Sequence, residues 1–262
     1  MEKAADFETI RTEIKDHIGK LTFNRPDSLN AFNGKMTSEI GSALKSFSGD
    51  ENVRCVAITG SGRAFSAGQD LKEVSQATSF SDLLKQRYNQ IIMQITGMHK
   101  PVVALINGVA AGAGMSVALA CDFKIMSHDA KFIQSFVKIG LVPDSGSSFF
   151  LMRSVGYSKA FELAALGEEV SSDEALALGI VNRVFHGENF FDESQKILER
   201  FANGPTKAYS LIKKSLNFSS GAHLEKCLEY ESYLQEIAGQ SEDAKEGIKA
   251  FVDKRPSIFR GK

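Results

Sequence analysis

Cysteine is scarce in this 262-residue chain, and the three present, Cys55, Cys121 and Cys227, are odd in number and far apart. That excludes a disulfide framework and fits a reduced, cytoplasmic setting, since each sits in a stretch that reads as packed interior. Neither sign of charge is in excess. With 31 basic and 32 acidic residues the net charge is -1, which removes any global electrostatic case for nucleic acid or an acidic membrane as partner. No segment reaches the roughly 18 uninterrupted apolar residues of a spanning helix. Residues 102–120 come nearest but carry Asn107, Ser116 and several glycines. The opening MEKAADFETIRTEIKDHIG is polar and holds no apolar core of a secretory signal. Tandem repeats and low-complexity segments are missing as well.

What is present is a globular composition, 43% hydrophobic and ample for a sizeable core. Residues 10–14 and 18–23 read as a β-hairpin, and 35–47 as a helix with Met36, Ile40, Leu44 and Phe47 on one face. Residues 55–59 form a short apolar strand, 73–81 a polar and mobile loop, and 82–97 an amphipathic helix closed by Gly97 and Pro101. Strand signals recur at 102–106, 123–126 and 131–133, so an α/β core with parallel strands and crossover helices is expected. From about Asp192 the patterning is helical only, at 193–202, 205–218, 222–238 and 241–253. Residues 1–192 are therefore read as the core and 193–262 as an all-α appendage.

Three segments carry chemistry. Gly62-Arg63-Ala64-Phe65-Ser66-Ala67-Gly68-Gln69-Asp70-Leu71 follows a strand, and its small residues let backbone approach a ligand. Asn107-Gly108-Val109-Ala110-Ala111-Gly112-Ala113-Gly114 runs from strand through a glycine-rich turn into a helix, whose first N–H groups favour an oxyanion. Gly140-Leu141-Val142-Pro143-Asp144-Ser145-Gly146 fixes an acid in a tight turn before another helix. Read alone, the first two are common strand-to-helix turns, and the third is a turn that caps its helix. The second is a poor dinucleotide fingerprint, because no acidic residue ends a strand about 20 residues on.

Together and in order, these segments resemble the crotonase (enoyl-CoA hydratase/isomerase) superfamily. The landmarks are Asn24-Arg25-Pro26, Asn30-Ala31-Phe32, Ala64 to Leu71, Lys100-Pro101-Val102-Val103-Ala104, Asn107-Gly108, Ala120-Cys121-Asp122, Gly140 to Pro143, Ala175 to Gly179 with Val181, and the tail Glu246-Gly247, Phe251, Lys254-Arg255-Pro256, Phe259. The resemblance implies an α/β spiral of ββα turns, a C-terminal all-α trimerisation region, and homotrimers or dimers of trimers. It implies an acyl-CoA thioester as substrate and no cofactor or metal apart from the coenzyme A that the substrate carries. It also implies an oxyanion hole of two backbone N–H groups, which fall on Gln69 and Ala113; the usual second residue is glycine. Around them Arg25, Ala67, Gly68, Asp70, Leu71, Gly112 and Phe136 are the expected substrate-binding positions.

Hydratases of this superfamily share two glutamates, at positions that here hold Ser116 and Phe136. Hydration needs an activated water and a proton for C2, so their loss disfavours it. What remains is Asp144, in a run that most resembles bacterial ring-1,2-epoxyphenylacetyl-CoA isomerases, although Ser147-Ser148 replaces the Gly-Gly or Gly-Thr of many relatives. The expected activity is an acyl-CoA isomerisation with Asp144 as the acid and base. A weak hydratase and a non-catalytic acyl-CoA-binding homologue are the alternatives. A dehalogenase-like nucleophilic role for Asp144 implies a histidine on the helix before the Lys-Pro strand, and residues 82–97 contain none. Asp70 also reads as a cap and loop brace, Ser116 as a small residue packed beneath the turn, and Arg25, Lys72, Lys254 and Lys262 as contacts for the coenzyme A phosphates or as surface charge.

Overall fold

The computed structural model describes residues 7–74 and 79–262. The chain enters as the expected hairpin, β1 (Ile10–Lys15) and β2 (Ile18–Phe23), followed by α1 (Gly34–Gly49). Asn33 starts that helix by accepting the Met36 N–H at 2.9 Å, and Met36, Ile40, Leu44 and Phe47 are all buried. Three coils follow, each a long strand, a short strand and a helical segment. The first is β3 (Cys55–Gly60), β4 (Ala64–Ser66), α2 (Leu71–Val74), α3 (Phe80–Leu83) and α4 (Asn89–Gly97). The second is β5 (Val102–Ile106), β6 (Val109–Ala111) and α5 (Ala113–Ala120); the third is β7 (Phe123–Ser127), β8 (Lys131–Ile133) and α6 (Ser147–Leu166). Then come β9 (Glu169–Ser171), α7 (Ser172–Ala177), β10 (Arg183–Phe185), α8 (Phe190–Ala202), α9 (Thr206–Ser219), α10 (Leu224–Gly239) and α11 (Glu242–Val252).

Each coil adds one strand to each of two sheets. The larger runs β1-β2-β3-β5-β7-β10, parallel from β2 onward, and the smaller runs β4-β6-β8-β9, antiparallel only at β8–β9. The large sheet is covered on both faces, which explains its unbroken apolar strands. In β3, Val56 and Ile58 join the main core with Phe23, Met36 and Leu44, while Cys55 and Ala57 face Phe190, Leu198 and Ala202 of α8. The boundary expected at residue 192 thus cuts α8 in its first turn, and α8 packs as the outer layer of the core. Burial pushes the thiols of Cys55 and Cys121 up, the latter to about 12, so neither is reactive at neutral pH.

The change of sheet between long and short strand happens at glycine corners. A Cβ on Gly108 would collide with the Arg63 carbonyl, and one on Gly60 with the Ala64 carbonyl. Two asparagines fasten these corners. Asn107 Oδ1 accepts the Gly60 N–H at 3.0 Å, and its Nδ2 donates to the Gly62 carbonyl at 3.0 Å. Asn30 Nδ2 donates to the Ser61 and Ala64 carbonyls at 2.9 and 2.8 Å. Asn30 and Asn107 are therefore clasps of the scaffold.

Two segments differ from expectation. Of the polar stretch 73–81, residues 75–78 lie outside the described residues, while its flanks belong to α2 and α3. The single helix expected over 82–97 is α3 and α4 joined by a π-helical turn, Leu84–Tyr88, in which the Asn89 N–H reaches the Leu84 carbonyl. Among the described residues no helix is long and apolar enough to cross a membrane.

The corners give a paired test. Gly108→Ala drives a methyl into backbone and is expected to destabilise by about 1–3 kcal/mol, seen as a lower urea midpoint. Gly49→Ala meets nothing within 4 Å and is expected to leave the midpoint unchanged or raise it slightly.

Candidate active site

The loops after β4 and β6 meet at a seam between the first and second coils. Gly68 stands at φ +90°, and a Cβ there would lie 2.7 Å from the Ala111 carbonyl oxygen and 3.3 Å from the Ala113 nitrogen. Gly114 presses on the same seam, where a Cβ would stand 2.5 Å from the Ser66 carbonyl. Only glycine permits both approaches. Residue 69 is held by a parallel bridge to Phe32: the Phe32 N–H donates to the Gly68 carbonyl at 2.7 Å, and the Asp70 N–H donates to the Phe32 carbonyl at 2.9 Å. In such a bridge the residue between the two bonds turns its own N–H to the other side. The Gln69 N–H consequently points away from Phe32. Ala113 is the first residue of α5, behind Gly112 at φ +49°, and its N–H is one of the donors that a helix start leaves over. Neither N–H has an acceptor among the described residues.

Arg25 and Asp70 brace the first loop. Both terminal guanidinium nitrogens of Arg25 lie 3.1 Å from Asp70 Oδ2, and Nη1 also donates to the Ala31 carbonyl. Farther along, Glu73 Oε2 accepts from the Gly34 N–H and from Arg87 Nη1, each at 2.8 Å, tying α2 to the start of α1 and to the π-helical turn.

Asp144 lies in the turn ahead of α6, with Ser145 at φ +53° and Gly146 at φ +77° after it. Its carbonyl accepts the Ser147 N–H at 2.9 Å and the Ser116 hydroxyl at 3.1 Å, so α5 holds the turn through Ser116. Burial raises its carboxyl above the usual carboxylate range, and a 2.7 Å hydrogen bond from the Ser145 hydroxyl opposes this. No basic side chain contributes. Phe136 is buried, its ring 3.8 Å from where a Gly112 Cβ would stand, which lines the second turn with an apolar wall.

Residues 13–262 match the family model described as enoyl-CoA hydratase/isomerase. The chain belongs to that family. It is 36% identical to 1,2-epoxyphenylacetyl-CoA isomerase of Escherichia coli, over 97% of this chain and 99% of the relative. It is 35% identical to a probable enoyl-CoA hydratase of Rhodobacter capsulatus, over 98% and 99%. The crystal structure of a Geobacillus kaustophilus enoyl-CoA hydratase subunit I superposes with a TM-score of 0.93 at 33% identity, covering 98% of this chain and all of the other. The spiral of ββα coils is therefore the crotonase fold of the enoyl-CoA hydratase/isomerase family.

Within this fold the expected residues fall into three groups, with Lys262 apart from them. Ala67, Gly68, Gln69, Gly112, Ala113 and Phe136 come together along the seam, and Leu71 is exposed at the end of the first loop. Asp144 is joined to the second loop through Ser116 and Gly112, whose carbonyl also accepts the Ser116 hydroxyl at 3.2 Å. Arg25 and Asp70 are engaged with one another, so Arg25 braces the first loop beside Gln69. Lys262 lies in a cleft with Arg54 and His99, at the opening ends of β3 and β5.

Sequence patterning missed Tyr88. It closes the π-helical turn, is 1% exposed, and holds its hydroxyl 3.5 Å from the Phe32 carbonyl that also anchors Asp70. Burial and then the nearby Asp144 charge push its phenol up, so it stays protonated. One helical turn on, Ile92 lies 3.5 Å from the Cβ position of Gly146. This segment thus reaches Phe32, which brackets Gln69, and the Gly146 end of the Asp144 turn. Only the unusual register of the turn marks Tyr88, and that leaves no periodic signal in the sequence.

The raised carboxyl has a measurable consequence. Because the native state holds the proton more tightly than the unfolded chain, Asp144 lowers stability as pH climbs from the ordinary carboxylate range through the higher native value. Asp144→Asn is expected to be more stable than the parent at pH 7, with the gap closing on acidification, in urea titrations across that window.

Proposed function

We propose that the chain is an acyl-CoA isomerase that shifts a double bond, or rearranges a ring epoxide, through a thioester enolate. The observation that carries the reading is a half-buried carboxylate with no cationic partner, Asp144, attached to the turn whose Ala113 N–H is free, with serine and phenylalanine where hydration needs acids. The Gln69 and Ala113 N–H groups receive the thioester oxygen as it gains charge, donors fixed in advance and needing no reorganisation. Asp144 takes a proton from one carbon and, now neutral in its apolar surroundings, returns it to another. Proton and electron pair balance within the substrate, and the reaction calls for no cofactor. The name of the Escherichia coli relative supports this reading, and that of the Rhodobacter capsulatus relative supports the weaker alternative of hydration.

Ala67, Gly68, Gly112, Leu71 and Phe136 form the surface against which the acyl group lies, while Arg25 and Asp70 act by holding the first loop. The exposed apolar side chains of the C-terminal helices, among them Leu224, Tyr233, Ile248 and Phe251, fit burial on neighbouring copies in a trimer or a dimer of trimers. We place the enzyme in the cytoplasm.

Three measurements test the reading. With 2-enoyl- and 3-enoyl-CoA esters of matched length, interconversion of the two is expected, with little 3-hydroxyacyl-CoA formed. Asp144→Asn should lower isomerisation by about 10²–10⁴-fold while leaving acyl-CoA affinity within a few-fold; undiminished turnover in this variant would overturn the mechanism. Gly68→Ala separates the two loops, and a loss of about 10²–10³ in kcat is expected from a displaced oxyanion donor.

A further inference from the structure

Two basic side chains of the core have no role in the site. Arg54 precedes β3 and Lys100 precedes β5, so both stand at the opening ends of parallel strands whose closing ends lead into the active-site loops. Both are buried, at 8% and 9% exposure. Arg54 Nε donates to the Thr206 hydroxyl at 3.1 Å, Nη1 to the Phe259 carbonyl at 3.2 Å and Nη2 to the Gly204 carbonyl at 2.5 Å. Lys100 Nζ donates to the carbonyls of Phe47 and Asp50, each at 2.6 Å. Their direct partners are dipoles, with no carboxylate among them. Asp243 acts on Arg54, and Asp50 and Glu51 act on Lys100, only at longer range.

A cleft of about 700 Å³ opens onto these two groups. Lys207 and Lys214 of α9, with Arg260 and Lys262 of the tail, add four exposed cations to its walls, and Glu51 is the acid among its lining residues. Asp50 and Asp243 also lie near it, and Glu242 and Glu246 stand beside Arg260; the Asp243 carboxylate accepts the Arg260 and Gly261 N–H groups at 2.6 and 2.7 Å, and Glu246 is paired with Arg255. His99, also on the wall, is driven to lower pKa by burial and by Lys214, Lys213 and Lys207. The tail is seated tightly: a Cβ on Gly261 would lie 3.0 Å from both Arg54 Nε and the Thr206 hydroxyl.

We propose that this cleft is a second ligand site, at the opening ends of the parallel strands and opposite the acyl-CoA site, and that it takes a chain of linked phosphates. Its cations are spread along the walls, which suits consecutive phosphates, and its size suits a ligand of nucleotide dimensions. A free inorganic oligophosphate and a nucleoside triphosphate present the same chemistry.

Calorimetric titration of the full chain with inorganic tripolyphosphate, and separately with ATP, tests the site. Binding at one site per chain is expected, weakening as salt rises. Tripolyphosphate alone, or both probes equally, assigns recognition to the phosphates; ATP alone adds the nucleoside. Lys207→Glu with Lys214→Glu is expected to weaken binding by about tenfold or more, while acyl-CoA turnover stays unchanged. Lys45→Glu with Arg183→Glu, an equal change of charge on α1 and β10 outside the cleft, should leave binding intact. Saturating tripolyphosphate should move the His99 titration, followed by NMR, to higher pH. Should the double variant fail to fold, Arg260→Gln provides the same comparison. Absence of binding by both probes, or equal weakening in the control variant, overturns the proposal.

Discussion

The contact on which the site depends is that of Gly68 with the backbone of Ala111 and Ala113. Two loops from successive coils can lie side by side only where one has no side chain, and at φ +90° a larger residue would face strain as well as collision. Everything else serves to hold that approach in register. The Phe32 bridge sets the direction of the Gln69 N–H, the Arg25–Asp70 pair holds the loop beyond it, and Gly114 lets α5 settle against Ser66. Asn30 and Asn107 fix the corners from which both loops spring. Main-chain donors placed this way need no particular side chain, which is why an alanine at position 113 still presents an amide.

Much of this was legible in the sequence because glycine, asparagine and proline mark positions by backbone geometry. The alternation of strand with helix follows from local chemistry, whereas the loops at 62–71 and 107–114 and the acid at 144 read alone as ordinary turns, and the resemblance of their order to one family is what marks them as a site. What escaped were relations between distant segments. Arg25 and Asp70 are 45 residues apart and look like two independent surface charges until the fold pairs them. Ser116 reads as a small helix residue, and its bond to the Asp144 carbonyl appears only once α5 and the turn before α6 are packed. The amphipathic stripe of α8 shows a face to be covered but cannot say that the sheet of its own core covers it.

Local economy of folding is set aside around Asp144. A half-buried carboxyl with one hydroxyl donor, whose charge acts on a buried phenol with a single long hydrogen bond, is a poor arrangement for stability and a suitable one for moving protons. The same contrast separates the two ends of the parallel strands. At the closing ends of the strands the free groups are amides and one acid, and at the opening ends they are cations.

The π-helical turn at Leu84–Tyr88 behaves as a phase shifter. An α-helix advances about 100° per residue, so one surplus residue rotates everything downstream relative to everything upstream. Removing a single residue there would leave a regular, well-formed helix and swing either the phenol or the Ile92 contact out of alignment. Helical content and correct phasing are thus separable properties of this segment, and its simultaneous contact with Phe32 and the turn before α6 depends on the second.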